Sequence, residues 1–258
     1  IILKAERLPD VGENVLGSEY SYAFGGKGAN QAVAVARMGH PVLFACALGR
    51  DIFGDEAVER YRQYGIDTSY IVRKDTPSGV ALIMVDGNAQ NSISVALGAN
   101  NELSIEEIEA KDPVGLILGG GPSIDGVGNA AEYIKHFDIP ILGICLGHQL
   151  IAKTFGGEVS TSDTESYAQV KINLLDDSTL FKGLESPLDV WSSHKDEVHT
   201  LPEEFDIIAS SSLCDIEAMK HKEKEIYGIQ FHPEVHHTPK GEFIFRNFYE
   251  ICQNYKNE

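Results

Sequence analysis

The stretch Ile141-Leu142-Gly143-Ile144-Cys145-Leu146-Gly147-His148-Gln149 decides how the chain is read. Its first four residues form an apolar run of the kind found in strands covered on both faces. Beyond the cysteine, Gln149–Phe155 has the composition of a helix. A cysteine at the junction, with glycine at 143 and 147, predicts a sharp strand-to-helix bend that small residues allow. Such a bend lifts the sulfur out of the sheet and sets it at a helix N-terminus, whose partial positive charge favours the thiolate. The thiolate is the nucleophilic form, so the pattern is that of an activated cysteine.

A nucleophile of this kind needs a base. The apolar run Ile226–Phe231 leads straight into His232-Pro233-Glu234, which predicts an imidazole on the same carboxyl edge of the sheet as Cys145. Glu234 stands where the third member of a triad orients the ring. A further strand, Val114–Leu118, ends in Gly119-Gly120-Gly121-Pro122. Backbone N–H groups around Gly120-Gly121 and of Leu146 are placed to form an oxyanion hole, in which one donor is worth roughly 2.7–4 kcal/mol. Nucleophile, base, orienter and donors therefore fall at three strand ends on one edge.

Composition narrows the remaining classes. The 258 residues carry 21 Lys and Arg against 39 Asp and Glu, a formal net charge of −18. That surface repels phosphate backbones and argues against nucleic-acid or anionic-membrane binding. No apolar run approaches the ~18 residues of a membrane span, and no basic-then-apolar leader opens the chain, so a cytoplasmic protein is expected. Cys46, Cys145, Cys214 and Cys252 are scattered without a CxxC pair, which fits a reducing compartment. Cys46, Cys214 and Cys252 read as inert small hydrophobes. His232, His236 and His237 have no cysteine or carboxylate at a metal-ligand spacing, so no metal is expected, and His236 and His237 read as a solvated loop.

Strand and helix patterns alternate along the chain. A strand is predicted over Ser18–Phe24, a helix over Ala29–Met38, a strand covered on both faces over Val42–Leu48 and a helix over Asp55–Tyr64. Val80–Val85 and Ser92–Leu97 flank Asp86-Gly87-Asn88, a hairpin signal. Ser104 and Glu107 have capping-box spacing, while Glu106, Glu107 and Glu109 read as a solvated helix face. Short strands separated by turns are expected between the Cys145 helix and Ala209, and a helix over Glu242–Gln253. This alternation predicts an α/β fold, a layered and mainly parallel sheet flanked by helices.

The motifs of residues 111–258 resemble the class I glutamine amidotransferase domain, specifically the separate glutaminase subunit of archaeal-type GMP synthases. The resemblance rests on Gly120-Gly121-Pro122, the Gly143–Gln149 core, Ser193-His194-Lys195-Asp196-Glu197-Val198, Glu217–His221 and Tyr227–Val235. It implies hydrolysis of glutamine to glutamate and ammonia without a cofactor. Cys145 would be the nucleophile, His232 the proton shuttle, Glu234 its partner, Gly121 and Leu146 the oxyanion donors, and Gln149, Ser193 and His194 the glutamine pocket. Ammonia would pass to a separate ATP-pyrophosphatase subunit that aminates XMP. Two departures are visible: Gly119 stands where relatives commonly have Ser, and the family's opening strand–helix–strand is missing ahead of Val114.

Residues 1–110 resemble instead the N-terminal part of ribokinase-type sugar kinases, through Leu8-Pro9, Gly12–Val15 and above all Phe24-Gly25-Gly26-Lys27-Gly28-Ala29-Asn30-Gln31-Ala32. The resemblance implies sugar contacts from Gly26, Lys27 and Asn30 and a lid made by the strand pairs. The family's catalytic Asp and nucleotide pocket have no counterpart, so kinase activity is not expected. The expectation is an engineered chimera joined near residue 110, in which the helix Ala29–Met38 and strand Val42–Leu48 substitute for the missing sheet elements. Three functions follow from it: a glutaminase, a catalytically silent chimeric scaffold, or a sugar-binding remnant.

Overall fold

Local sequence accounts for the first half. The computed structural model describes residues 1–39, 41–119, 121, 124 and 127–257, with backbone only at 163–167. Strand β1 (Ile2–Ala5) pairs with β2 (Gly17–Ser21), and helix α1 (Lys27–Arg37) follows. Strand β3 (Cys46–Gly49) leads to helix α2 (Ile52–Gln63), whose N-cap Asp51 accepts a hydrogen bond from the Gly54 amide, and then to β4 (Ile71–Lys74). The expected hairpin forms as β5 (Val80–Val85) and β6 (Asn91–Ala96), with the Asp86 carboxylate accepting from the Asn88 and Gln90 amides. These strands make a four-stranded sheet, β2-β1-β5-β6, and a separate parallel pair, β3-β4. Helix α3 (Ile105–Glu109) carries the capping box in full, Ser104 and Glu107 each bonding the other's backbone.

Two expectations are corrected here. The apolar run 42–48 is covered on one side only: Val42 and Phe44 turn toward the cluster around Tyr61, while Leu43 is 53% exposed. Only its end forms a strand, which pairs with β4 and does not enter the main sheet. Glu107, read as solvated, is half-buried and bonds Lys74 Nζ at 2.8 Å as well as capping its helix.

From Leu116 onward the chain builds one seven-stranded sheet. Strand β7 (Leu116–Leu118) is followed by helix α4 (Ala130–His136), β8 (Ile141–Ile144) and helix α5 (Leu146–Thr154). Strands β9 (Glu158–Leu174), β10 (Leu188–Thr200), β11 (Phe205–Ser210), β12 (Ala218–His221) and β13 (Ile226–Ile229) precede helix α6 (Gly241–Asn257). The order is β10-β9-β11-β12-β13-β8-β7. Parallel pairing is confined to β13, β8 and β7, the three strands whose ends carry the predicted site; the outer strands are antiparallel. Before Ala209, the long strands β9 and β10 take the place of several expected short ones; register shifts in their pairing absorb turn-forming residues.

Two apolar layers fix the three parallel strands. On one face Ile244, Phe245 and Phe248 of α6 pack with Leu142, Ile144, Phe181, Tyr227 and Phe231. On the other, Ile134 of α4 and Leu150 and Ile151 of α5 pack with Ile141, Met219 and Ile226. Each such side chain contributes about 1.5–3 kcal/mol on burial.

The bend after β8 depends on backbone approach. A Cβ on Gly147 would sit 2.1 Å from the Leu118 carbonyl oxygen, and one on Gly143 would sit 2.5 Å from the Gly147 backbone. Gly143→Ala is therefore expected to lower stability by about 1–3 kcal/mol, the usual cost of overpacking, as read from the urea midpoint. Gly25→Ala, where an added Cβ meets nothing within 4 Å, should leave that midpoint unchanged. Equal behaviour of the two variants would contradict this account of the bend.

Candidate active site

Cys145 occupies the residue between β8 and α5 with φ +56° and ψ −105°, a left-handed conformation that costs a non-glycine residue of order 1–3 kcal/mol. The strain persists because both neighbours are locked: the Cys145 amide donates to the Ile229 carbonyl at 2.8 Å, and its carbonyl accepts from the Gln149 amide at 3.1 Å. The sulfur is thereby aimed out of the sheet at the start of α5, as the sequence predicts.

His232 lies three residues beyond β13, next to β8, and its backbone is clamped. Its amide donates to the Trp191 carbonyl at 2.9 Å, and its carbonyl accepts from Thr238 Oγ1 at 2.7 Å. Thr238 Oγ1 in turn accepts from the Trp191 amide. Nδ1 of the ring donates to Glu234 Oε1 at 2.8 Å, both side chains being almost fully buried, while the ring lies close enough to the Cys145 thiol for the two to shift each other's titration. The structure thus brings Cys145, His232 and Glu234 into one chain of contacts.

Electrostatics follow from this geometry. Burial alone pushes the Cys145 thiol up; the hydrogen bond from His232, the positive charges of Lys27 and His232, and the Leu146 amide outweigh it and hold the pKa below the ordinary thiol value. Burial opposes charge on His232, yet its bonds to Cys145 and Glu234 and their negative charges carry the ring up to about 9. Each group thus favours the charged form of the other, thiolate on Cys145 and imidazolium on His232.

Other predicted residues lie around it. The Leu146 amide faces the sulfur, and Gly121 lies close enough to Leu146 that a Cβ there would be 2.8 Å from its side chain. Gly120 and Pro122 lie outside the described residues. Gln149 is buried, and its Nε2 donates to the Asp196 carbonyl at 2.5 Å and to Gln230 Oε1 at 3.2 Å. Ser193 and His194 sit on β10; His194 is buried, and burial holds its ring below the usual imidazole range. Of the sugar-motif residues, Gly26 and Asn30 are exposed, whereas Lys27 turns inward, its Nζ 3.9 Å from Cys145 Sγ.

Three participants escaped sequence reasoning. Gln230, whose Nε2 lies 3.9 Å from Sγ, was visible as the second residue before His232 but had no assigned task. Thr238 and Lys27 act through contacts that only the tertiary fold creates. Among the described residues no group of three or more His, Cys, Asp or Glu is arranged for a metal ion, and no helix is long and apolar enough to cross a membrane.

A family model for class-I glutamine amidotransferases matches residues 75–252. The chain belongs to the class-I glutamine amidotransferase family. The A subunit of the glutamine-hydrolysing GMP synthase of Methanobrevibacter smithii is 71% identical over 153 residues, covering 59% of this chain and 80% of that protein. Its counterpart in Methanothermobacter thermautotrophicus is 58% identical over 154 residues, 60% of this chain and 83% of that one. A solved structure from Thermoplasma acidophilum, assigned as a GMP synthase A subunit, superposes with a TM-score of 0.59 at 33% identity, covering 84% of this chain and 97% of that one. A second model, for pfkB family carbohydrate kinases, matches residues 1–116. The front of the chain is thus similar to carbohydrate kinases of the pfkB family, in a chain that otherwise matches the amidotransferases.

The four thiols separate sharply. Burial pushes Cys46 and Cys252 up to about 12 and Cys214 higher still, leaving Cys145 alone shifted downward. Iodoacetamide at neutral pH is therefore expected to modify Cys145 first in the folded protein, as read by peptide mass spectrometry. Comparable labelling of Cys214 or Cys252 would contradict the assignment.

Proposed function

We propose that the chain is a glutaminase of the GMP-synthase type, and the observation that carries this is the buried His232 ring bonded to Glu234 at 2.8 Å and coupled electrostatically to the Cys145 sulfur. The Cys145 thiolate attacks the side-chain amide carbon of glutamine, and the charge that develops on oxygen is met by the amides of Leu146 and Gly121. The His232 imidazolium gives its proton to the departing nitrogen, which leaves as ammonia, and a γ-glutamyl thioester remains on sulfur. The neutral ring then takes a proton from water as water attacks the thioester, releasing glutamate and restoring the thiolate–imidazolium pair. Glu234 keeps the ring in the orientation and charge state that both steps require.

Gln149, Ser193 and His194 form the glutamine pocket in this reading. Support comes from Gln149, which is immobilised by Asp196 and Gln230, the latter also facing the sulfur. The relatives named as the A subunit of a glutamine-hydrolysing GMP synthase support a place in purine biosynthesis, with ammonia passing to a separate ATP-pyrophosphatase subunit. We place the boundary between the two segments near residue 110, after α3.

Glutamate release from glutamine tests the proposal. Cys145→Ala is expected to abolish it, and His232→Gln to lower kcat by about 10²–10⁴-fold, the worth of a positioned general acid–base. Because the imidazolium is the acid form, activity should decline as pH rises through about 9. Removing the Glu234 charge takes away a contribution that raises the ring's pKa, so Glu234→Gln should move that decline to lower pH. Undiminished glutamate release by Cys145→Ala would overturn the assignment.

A further inference from the structure

Lys27 belongs to the glycine-rich loop of the carbohydrate-kinase segment, yet its side chain ends at the amidotransferase cysteine. It is the first residue of α1, following Gly26, whose φ of +97° turns the chain into the helix. The seating of α1 accounts for its reach. Gln31, one turn further, is buried, and a Cβ on Gly119 would lie 2.6 Å from Gln31 Oε1 and 3.2 Å from Gly28 Cα. A serine at 119, as the family resemblance implies for relatives, would strike that helix; glycine lets α1 lie against the end of β7. Farther along, Val35 and Met38 pack against the main core. The helix is thereby fixed at both ends of its contact face, and Lys27 Nζ comes to 3.9 Å from Cys145 Sγ in a half-buried position.

The groups that surround the sulfur leave this cation a distinct task. Among the described residues, His232 faces it from beyond β13, with Glu234 directly behind the ring; the Leu146 amide faces it from α5, Gln230 donates an amide hydrogen, and His194 stands on β10. Glu234 spends its charge on the His232 ring at 2.8 Å. Both Lys27 and His232 place positive charge against the thiolate, in a chain whose net charge is −18.

We propose that Lys27 is a catalytic residue of the amidotransferase centre: its ammonium, supplied by the carbohydrate-kinase segment, is a second counter-charge of the Cys145 thiolate. A nearby cation favours the charged thiol form, so it enlarges the fraction of sulfur ready to attack at pH values below the thiol's ordinary range. The lysine of a sugar-kinase loop is thus redeployed as an activator of cysteine chemistry. Its effect on turnover rests on the glutaminase reading; its effect on the sulfur does not.

The test is the pH dependence of Cys145 alkylation by iodoacetamide in the full chain, followed by peptide mass spectrometry for the wild type and for Lys27→Met, Lys27→Gln and Lys27→Arg. The alkylation midpoint is expected to rise by about one pH unit in the Met and Gln variants and to stay near the wild-type value in Lys27→Arg. The acid limb of glutamate release should move with it. Midpoints unchanged in Lys27→Met and Lys27→Gln, or raised equally in Lys27→Arg, would overturn the proposal, and using two neutral variants guards against one that misfolds. Raised midpoints in a protein that releases no glutamate would uphold the role of Lys27 and sink the glutaminase assignment instead, so the two failures are distinguishable.

Discussion

Cys145 and His232, each buried, favour one another's charged form, thiolate and imidazolium, against the desolvation that burial imposes. Removing either charge from water costs several kcal/mol, and only close pairing with further hydrogen bonds offsets it. The structure supplies both requirements. Glu234 completes the partnership of the His232 ring at 2.8 Å, and the Leu146 amide bonds the sulfur. Everything around the pair serves its placement: the strained residue between β8 and α5, the glycines that permit the bend, and the Trp191–Thr238 clamp on the His232 backbone.

That placement lies at an edge of the sheet where the front of the chain meets the rest. The seven-stranded sheet ends at β7, and the N-terminal strands form sheets of their own. What joins the segments at the active-site edge is a helix, α1, packed onto the loop after β7 through Gly28, Gln31 and Gly119. A cleft of about 850 Å³ remains between this helix and the residues after His232, lined by Phe24, Asn30 and Arg37 on one wall and by Pro233, Glu234 and Glu242 on the other. The front of the chain thus borders Glu234 on one side and reaches the Cys145 sulfur on the other.

Features built from near neighbours were legible in the sequence. The Gly143–Gln149 bend, the Ser104–Glu107 capping box and the hairpin around Asp86 each depend on residues within a few positions, and each forms as expected. The juxtaposition of Cys145 with His232 was legible because two apolar runs ending in reactive residues imply adjacent strand ends. Features that depend on distant pairing were not. The run 42–48 has the composition of a central strand, but one face of it meets solvent. The long pairing of β9 with β10 overrides residues that favour turns, as tertiary context commonly does in sheets. The approach of Lys27 to a sulfur 118 positions away has no local signature at all.

Trapping the covalent intermediate probes the central claim most directly. The full chain, mixed with glutamine and quenched in acid, should carry a γ-glutamyl thioester on the peptide containing Cys145, as read by mass spectrometry. Absence of the adduct, or its appearance on Cys46, Cys214 or Cys252, would contradict the account.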